Sequence, residues 1–202
     1  GALCGIALAA VAAVSITSTP EQLVLPFGLP DLPFHVRRDA LSSAFLFLLG
    51  AAAAGISFFG AGYFRSGEGT APGLLCLQYH LFLASMGFVL LADDAYGFMV
   101  AWESMALTSY FLVTTQHRIP EIRRAGFLYL LIAHLGAIAI LLSFGVMQGG
   151  SWQFTFDAMR AAQLPSGWAA VAFLLALFGF GAKAGLVPLH VWLPEAHPAA
   201  PS

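Results

Sequence analysis

Long apolar stretches alternate with short polar segments along the whole chain. A helix needs about 20 mostly apolar residues to cross the hydrocarbon layer of a bilayer. Six segments meet or approach that length: Leu3–Thr17, Leu41–Tyr63, Gly73–Leu91, Ala95–Thr115, Ala125–Met147 and Ser166–Val187. The pattern predicts an all-α polytopic membrane protein with about six transmembrane helices, of which the first is short.

The segment Thr19–Ala40 has a different pattern from the apolar stretches on either side of it. Apolar and polar residues alternate over Leu23–Phe27 and again over Leu32–Val36, which is the periodicity of a β-strand. The sequence Pro-Phe-Gly-Leu-Pro-Asp between them is rich in residues that favour turns. We therefore expect a small β-hairpin that covers one face of the helices.

Helix-breaking residues interrupt the last apolar stretch. A single lysine, Lys183, is followed by Gly185, Pro188 and Pro194. A buried ammonium costs several kcal/mol in hydrocarbon. A broken helix at membrane depth is tolerated only where its free backbone groups line a cavity. Together the two features predict a broken last helix beside an ion pathway.

The composition supports membrane insertion and excludes several other classes. The 202 residues are 59% hydrophobic and 9% charged, with a mean hydropathy of +0.84, whereas soluble domains contain about 25% charged residues. Nothing in the net charge of -2 suggests a nucleic-acid partner. Cys4 and Cys76 are isolated within apolar runs, which is typical of small packing residues and not of disulfides or iron–sulfur ligands. The chain has no initiator methionine and ends after a proline-rich break, so we expect a fragment of a longer protein.

The arginines predict how the helices are oriented in the membrane. One side carries the loops Thr19–Ala40, Ala92–Asp94 and Gln148–Pro165, with Arg37, Arg38 and Arg160. The other side carries Phe64–Pro72, Gln116–Arg124 and the segment after Val187, with Arg65, Arg118, Arg123 and Arg124. Cytoplasmic loops contain an excess of Lys and Arg. Three arginines in one short loop predict that residues 117–124 are cytoplasmic and that the hairpin is periplasmic.

Four ionisable side chains fall within the apolar stretches: His80, Glu103, His134 and Lys183. Glu103 lies about nine residues into its helix, which is roughly 13 Å from the end and near the midplane. His134 has a similar depth. Ionisable residues inside a membrane mark ion pathways by default, so Glu103 is a candidate proton carrier or counter-ion. The alternative is a hydrogen-bonded strut between helices, supported by neighbouring hydroxyl side chains.

Lys183 also has two interpretations. Its side chain extends either to the membrane interface or into the protein, where burial and a nearby carboxylate act on its protonation in opposite directions. Glu103 is the natural partner at comparable depth. His134 is a candidate proton relay or a hydrogen-bonding partner for a neighbouring helix, and His80 is a weaker candidate.

Two further groups of residues in the sequence are open to a chemical interpretation. His190, Glu195 and His197 match no zinc motif, and prolines interrupt the helix that would align them, so no metal site is expected. Trp152, Trp168 and Trp192 lie near segment ends and are typical of interfacial anchors.

The residues around Lys183 resemble the motif of a known protein family. Trp102-Glu103, followed by Lys183 and then by Pro-Leu-His-Val-Trp-Leu-Pro-Glu-Ala-His-Pro-Ala-Ala-Pro-Ser, resembles the antiporter-like proton-translocating subunits of respiratory complex I. That family also includes Mrp-type cation/proton antiporters and the membrane subunits of energy-converting hydrogenases. The His-Pro-Ala-Ala-Pro-Ser ending is most similar to the large membrane subunit of hydrogenase-4 and formate hydrogenlyase.

The resemblance implies a layout of about fourteen helices with two inverted five-helix repeats. On that layout, residues 1–202 would form a single transmembrane domain at the N-terminal part of the subunit, with helices similar to the second to seventh. Residues 19–40 would be a periplasmic hairpin loop, and residues 71–202 would begin the proton-translocating core repeat. The last residues of the path would follow Ser202.

The resemblance also implies roles for individual residues. Glu103 matches the glutamate of the family's fifth helix, and Lys183 matches the lysine of its broken seventh helix. This proton-transfer pair would form and break as a redox module works, with His134 in the sixth helix as a candidate relay.

The function implied is that of a proton-translocating subunit in a respiratory-type oxidoreductase complex, an energy-converting hydrogenase or an enzyme like NADH:quinone oxidoreductase. The subunit would be multi-pass in the bacterial inner membrane and would hold no cofactor. Its partners would be other membrane subunits and a peripheral redox module that carries the electrons.

Three alternatives remain at this point. One is a subunit of an Mrp-type Na⁺/H⁺ antiporter, driven by a gradient and not by electrons. The second is a structural subunit that conducts nothing. The third is a haem-binding subunit that uses His80 and His134 as ligands.

Overall fold

The computed structural model describes residues 1–63 and 70–200 and is predominantly helical. The helices are α1 (Ala2–Ser15), α2 (Ala40–Tyr63), α3 (Pro72–Leu91), α4 (Ala95–Val113), α5 (Pro120–Met147), α6 (Phe156–Ala161), α7 (Ser166–Ala184) and α8 (Leu193–Ala199). The strands are β1 (Glu21–Leu29) and β2 (Leu32–Arg38). The six predicted apolar segments are all helical. The predicted loop at Phe64–Pro72, including Arg65, lies mostly outside the described residues, as do Pro201 and Ser202.

The number of membrane-spanning helices is smaller than expected. Among the described residues, four helical stretches are long and apolar enough to span a membrane: Ala40–Gly60, Pro72–Leu91, Pro120–Met147 and Ser166–Ala199. Helix α1 is apolar but has only 14 residues. Helix α4 has 19 residues, but Glu103 and several hydroxyl side chains lower its mean hydropathy. By this measure the prediction of about six spans is corrected to four.

The predicted hairpin is confirmed. Strands β1 and β2 pair antiparallel from Glu21↔Arg38 to Leu29↔Leu32, with an irregularity between Leu25 and Gly28. Gly28 has φ +117°, and a Cβ there would lie 2.4 Å from the carbonyl oxygen of Leu32, so the irregular part of β1 requires glycine at this position.

Charged side chains fasten the hairpin to the ends of the helices. Arg37 on β2 lies between two carboxylates, with Nη2 3.3 Å from Oδ1 of Asp93 and Nη1 3.4 Å from Oδ1 of Asp157. The amide of Gln22 donates to Oδ2 of each carboxylate at 3.2 Å. Burial raises the pKa of the Asp93 carboxyl, and Arg37 acts in the opposite direction. Asp157 belongs to the short helix α6, which falls in a segment expected to be a loop.

The backbones of α5 and α7 approach each other closely at two glycines. A Cβ on Gly179 would lie 2.6 Å from the carbonyl oxygen of Gly136 and 3.0 Å from the amide nitrogen of Ile140. Small residues allow this kind of close helix packing in membranes. The buried Ser143 hydroxyl donates to the Ala172 carbonyl at 2.8 Å and adds a polar link between the same two helices. This packing places the C-terminal end of α7, including Lys183, beside α5.

We predict that Gly179→Ala destabilises the full-length protein by about 2 kcal/mol, because the new methyl group meets backbone atoms that cannot rotate away. The thermal unfolding midpoint of the protein in detergent measures the effect. Gly145→Ala on α5 is the matched control, because a Cβ there meets nothing within 4 Å. Equal unfolding midpoints for the two variants would contradict the proposed close contact.

We also predict that Arg37→Gln destabilises the protein by about 2 kcal/mol at pH 7, because it leaves the buried Asp93 carboxylate without its cation. The pKa of Asp93 lies above its ordinary value of 3.8, so the ionised carboxylate is the unfavourable form in the folded state. Protonation therefore removes the penalty, and the difference from wild type should narrow as the pH falls from 7 towards about 4.

Arg38→Gln is the control for this prediction. Arg38 pairs with Glu21, whose side chain is 72% exposed, and such surface pairs contribute less than about 1 kcal/mol. Equal stability and equal pH dependence of the two variants would show that Arg37 does not stabilise the Asp93 carboxylate.

Candidate functional site

The side chains of Glu103 and His134 meet between α4 and α5. Oε2 of Glu103 lies 3.1 Å from Nδ1 of His134, and the two side chains are 40% and 49% exposed in this chain. At that distance a carboxylate and an imidazole can share or exchange a proton. The structure therefore brings together two of the three predicted site residues.

Lys183 has a different partner. Its Nζ donates a hydrogen bond of 2.8 Å to the hydroxyl oxygen of Tyr129 on α5. The same Nζ lies 5.1 Å from the centre of the Tyr129 ring and 6.0 Å from the centre of the Trp102 ring. Aromatic faces within about 6 Å attract a cation electrostatically. Lys183 is therefore turned into the protein, and the alternative of a side chain that extends to the interface does not fit this conformation.

The expected contact between Glu103 and Lys183 is absent from the ion pairs of residues 1–63 and 70–200. Each of the two side chains contacts α5 instead, Glu103 at His134 and Lys183 through its hydrogen bond to Tyr129. These two α5 residues are five positions apart, which separates them by about 7.5 Å along the helix and by about 140° around it. Helix α5 thus holds the carboxylate on one flank and the lysine on another.

The regular helix is interrupted just after Lys183, as predicted. Helix α7 ends at Ala184, and Gly185 is left-handed with φ 72° and ψ 37°, a conformation that favours glycine. A 3₁₀ turn at Leu189–Trp192 then leads into α8. The helix therefore ends three residues earlier than the predicted Val187.

Trp192 joins the broken segment back to the end of α7. Its indole Nε1 donates to the Ala182 carbonyl at 2.9 Å, and its ring contacts the Tyr129 ring with centres 5.2 Å apart. Tyr129 is only 2% exposed and packs in one cluster with Ala196 of α8. Tyr129 and Trp192 thus connect Lys183 to the segment after the break. The sequence indicated only an interfacial anchor at Trp192.

The other candidate residues lie apart from this arrangement. Nδ1 of His80 is 2.7 Å from the Cys76 carbonyl oxygen within its own helix. Among the described residues, no group of three or more His, Cys, Asp or Glu side chains could hold a metal ion. Cys4 and Cys76 are both free thiols.

Sequence reasoning missed Tyr129, and one signal in the sequence could have identified it. Tyr129 precedes Ala133, Gly136, Ala137 and Ile140 at helical spacing, and all five are buried. Gly136 and Ile140 in this stripe pack on α7, and Tyr129 and Ala133 pack against α4 and α8. The stripe therefore marks the buried side of α5, where a hydroxyl is a candidate partner for a lysine on a neighbouring helix.

Comparison with known proteins agrees with this architecture. The family model described as NADH:quinone oxidoreductase/Mrp antiporter, TM, matches residues 92–202, which contain Glu103, His134 and Lys183. Hydrogenase-4 component B of Escherichia coli (strain K12) is 41% identical over 177 residues, covering 88% of this chain and 26% of the relative. Formate hydrogenlyase subunit 3 of the same organism is 27% identical over 188 residues, covering 92% of this chain and 29% of the relative.

A solved structure shows the same fold. The structure of the Mrp complex from Dietzia sp. DQ12-45-1b contains a chain that matches with a TM-score of 0.79 and 22% identity, covering 98% of this chain and 37% of that one. The present chain therefore spans between a quarter and two fifths of the proteins it matches. The resemblance inferred from the sequence motif is confirmed.

We predict that Trp192→Phe increases hydrogen–deuterium exchange over residues 181–192 by about fivefold in the full-length protein. The variant keeps an aromatic ring against Tyr129 but removes the donor to the Ala182 carbonyl, a bond that contributes about 1 kcal/mol. Trp168→Phe, at a position that is 58% exposed, is the control. Unchanged exchange in Trp192→Phe would show that this hydrogen bond does not hold the broken segment.

Proposed function

The chain belongs to the NADH:quinone oxidoreductase/Mrp antiporter transmembrane family, and we propose that the full-length protein translocates protons across the membrane as a subunit of a respiratory-type oxidoreductase complex. The observation that carries the proposal is the position of Lys183. Its amine donates a hydrogen bond of 2.8 Å to the buried hydroxyl of Tyr129, and helix α7 ends one residue later at Ala184. A charged group of this kind inside a membrane protein marks an ion path by default.

The proposed path uses the chemistry of three side chains. Glu103 and His134 pass a proton between carboxylate and imidazole across 3.1 Å. Lys183 takes up and releases a proton at its amine. The family resemblance implies that Glu103 and Lys183 pair in another state of the working protein. In the state described here, α5 holds them on separate flanks. An ammonium has three N–H donors, so Lys183 can pair with Glu103 and keep its bond to Tyr129, provided that the two side chains move towards each other.

The partners and the location are part of the same proposal. Relatives named as components of hydrogenase-4 and formate hydrogenlyase support a complex with other membrane subunits and a peripheral redox module. The electrons would remain in that module, and this subunit would contribute no redox cofactor. We place it in the bacterial inner membrane, with the loop at residues 117–124 in the cytoplasm and the hairpin in the periplasm. Residues 71–202 would begin the proton-translocating core repeat.

Na⁺/H⁺ antiport is the alternative function, because the family description names Mrp antiporters as well. The two functions differ in their driving force. A respiratory subunit moves protons only while electrons flow, whereas an antiporter subunit exchanges Na⁺ for H⁺ along a gradient without electron transfer. Measuring proton movement with and without a sodium gradient, in the absence of electron donor, separates them.

We predict that Glu103→Gln in the full-length complex lowers proton translocation by about tenfold or more, because the amide cannot carry a proton. Stability should change by less than about 1 kcal/mol, since the pair with His134 is half-exposed. Proton uptake by vesicles, normalised to electron transfer, measures the effect. Glu121→Gln is the control, because Glu121 lies in the first turn of α5, away from the pair.

Two results would count against the proposal. Normal translocation by an assembled Glu103→Gln complex would favour a purely structural subunit. A Soret band in the purified subunit would favour the haem-binding alternative.

A further inference from the structure

We propose that Tyr129 is the positioning residue for Lys183, so that its hydroxyl bonds the amine in both protonation states and its ring ties the lysine to the broken segment. The inference rests on the proposed function and adds a residue to it.

The hydroxyl of Tyr129 suits this role chemically. A phenol oxygen has lone pairs and one proton, so it can accept a hydrogen bond and can also donate one. The ammonium form of Lys183 donates to it, at 2.8 Å in this structure. After the amine loses its proton, the Tyr129 O–H can donate to the free lone pair on nitrogen. Lys183 therefore keeps one partner through a cycle of protonation and deprotonation.

Tyr129 is also held rigidly. It is 2% exposed and packs among Ala106, Val113, Ala133 and Ala196. Side chains packed in this way keep one rotamer, so the position of the hydroxyl is fixed by α4, α5 and α8 together. A lysine side chain has several rotatable bonds and needs such a fixed partner to occupy one place.

The ring of Tyr129 provides a link to the break. It contacts Trp192 at 5.2 Å, and Trp192 bonds to the carbonyl of Ala182, the residue before Lys183. A shift of the 3₁₀ turn would therefore change both the hydrogen bond that supports the backbone before Lys183 and the packing against the Tyr129 ring. This arrangement couples the position of the broken segment to the surroundings of the amine.

Other titratable groups lie on the elements packed around Lys183. They are Tyr96, Glu103 and Tyr110 on α4, Glu121, Arg123, Arg124 and His134 on α5, and His190, Glu195 and His197 on the broken segment and α8. Within the part of the chain that the structure describes, none of these is hydrogen bonded to Nζ of Lys183. Removing the Tyr129 hydroxyl therefore directly changes the hydrogen bonding of the Lys183 amine.

The test uses Tyr129→Phe in the full-length subunit within its assembled complex. The variant keeps the ring and its contact with Trp192 but removes the hydroxyl. We expect normal assembly, and a shift of about one unit towards lower pH in the pH at which proton translocation is half-maximal. The ammonium loses a charge-assisted hydrogen bond, which is stronger than the bond that the neutral amine loses. Tyr110→Phe is the control, since Tyr110 lies in the same cluster and bonds to no lysine among the described residues.

Every other outcome of these experiments refutes either the inference about Tyr129 or the proposed function. A Tyr129→Phe complex with the wild-type pH profile overturns the inference. A complex that fails to assemble, while Tyr110→Phe assembles, overturns it in favour of a structural hydroxyl. If the assembled Glu103→Gln complex also translocates normally, the proposed function itself has failed. Loss of translocation in Glu103→Gln with no effect in Tyr129→Phe refutes only the role of Tyr129.

Discussion

The contact between Gly136 and Gly179 determines which side chains can meet at the site. Two backbones come together there with no side chain between them, and this fixes the rotation of α7 against α5. Lys183 lies one turn after Gly179 and therefore points at the α5 stripe that contains Tyr129. A bulkier residue at either glycine would separate the helices and take the amine out of hydrogen-bond range. The geometry of the polar site thus depends on an apolar packing constraint.

The other ionisable side chains also lie next to groups that stabilise their charge. At the end of the bundle, Arg37 lies between Asp93 and Asp157 and fastens the hairpin to the corner before α4 and to α6. Inside the apolar region, Glu103 pairs with His134, and Lys183 has a hydroxyl and two aromatic rings around it. Each of these ionisable groups therefore has a polar or aromatic partner, as the cost of burying a charge requires.

The sequence predicted the helices and the hairpin well because their signals are local. Apolar length identified the six helical segments, strand alternation identified the hairpin, and Gly185 with Pro188 identified the break. The partners of Glu103 and Lys183 could not be predicted in the same way. They depend on how far each helix is rotated against its neighbour, and depth along a helix carries no information about rotation. Helix α6 was missed because six residues are too few to show a periodic pattern. The span count was too high by two helices. Helix α1 has only 14 residues, and α4 is long enough but contains enough polar side chains to lower its mean hydropathy.

The proposed function depends above all on the amine of Lys183, which we propose carries the translocated proton. The most direct measurement is proton uptake by vesicles that contain the full-length complex with Lys183→Ala, with electron transfer and assembly recorded in parallel. We expect that the complex assembles and transfers electrons while proton translocation through this subunit is lost. Unchanged translocation in the assembled variant would contradict it.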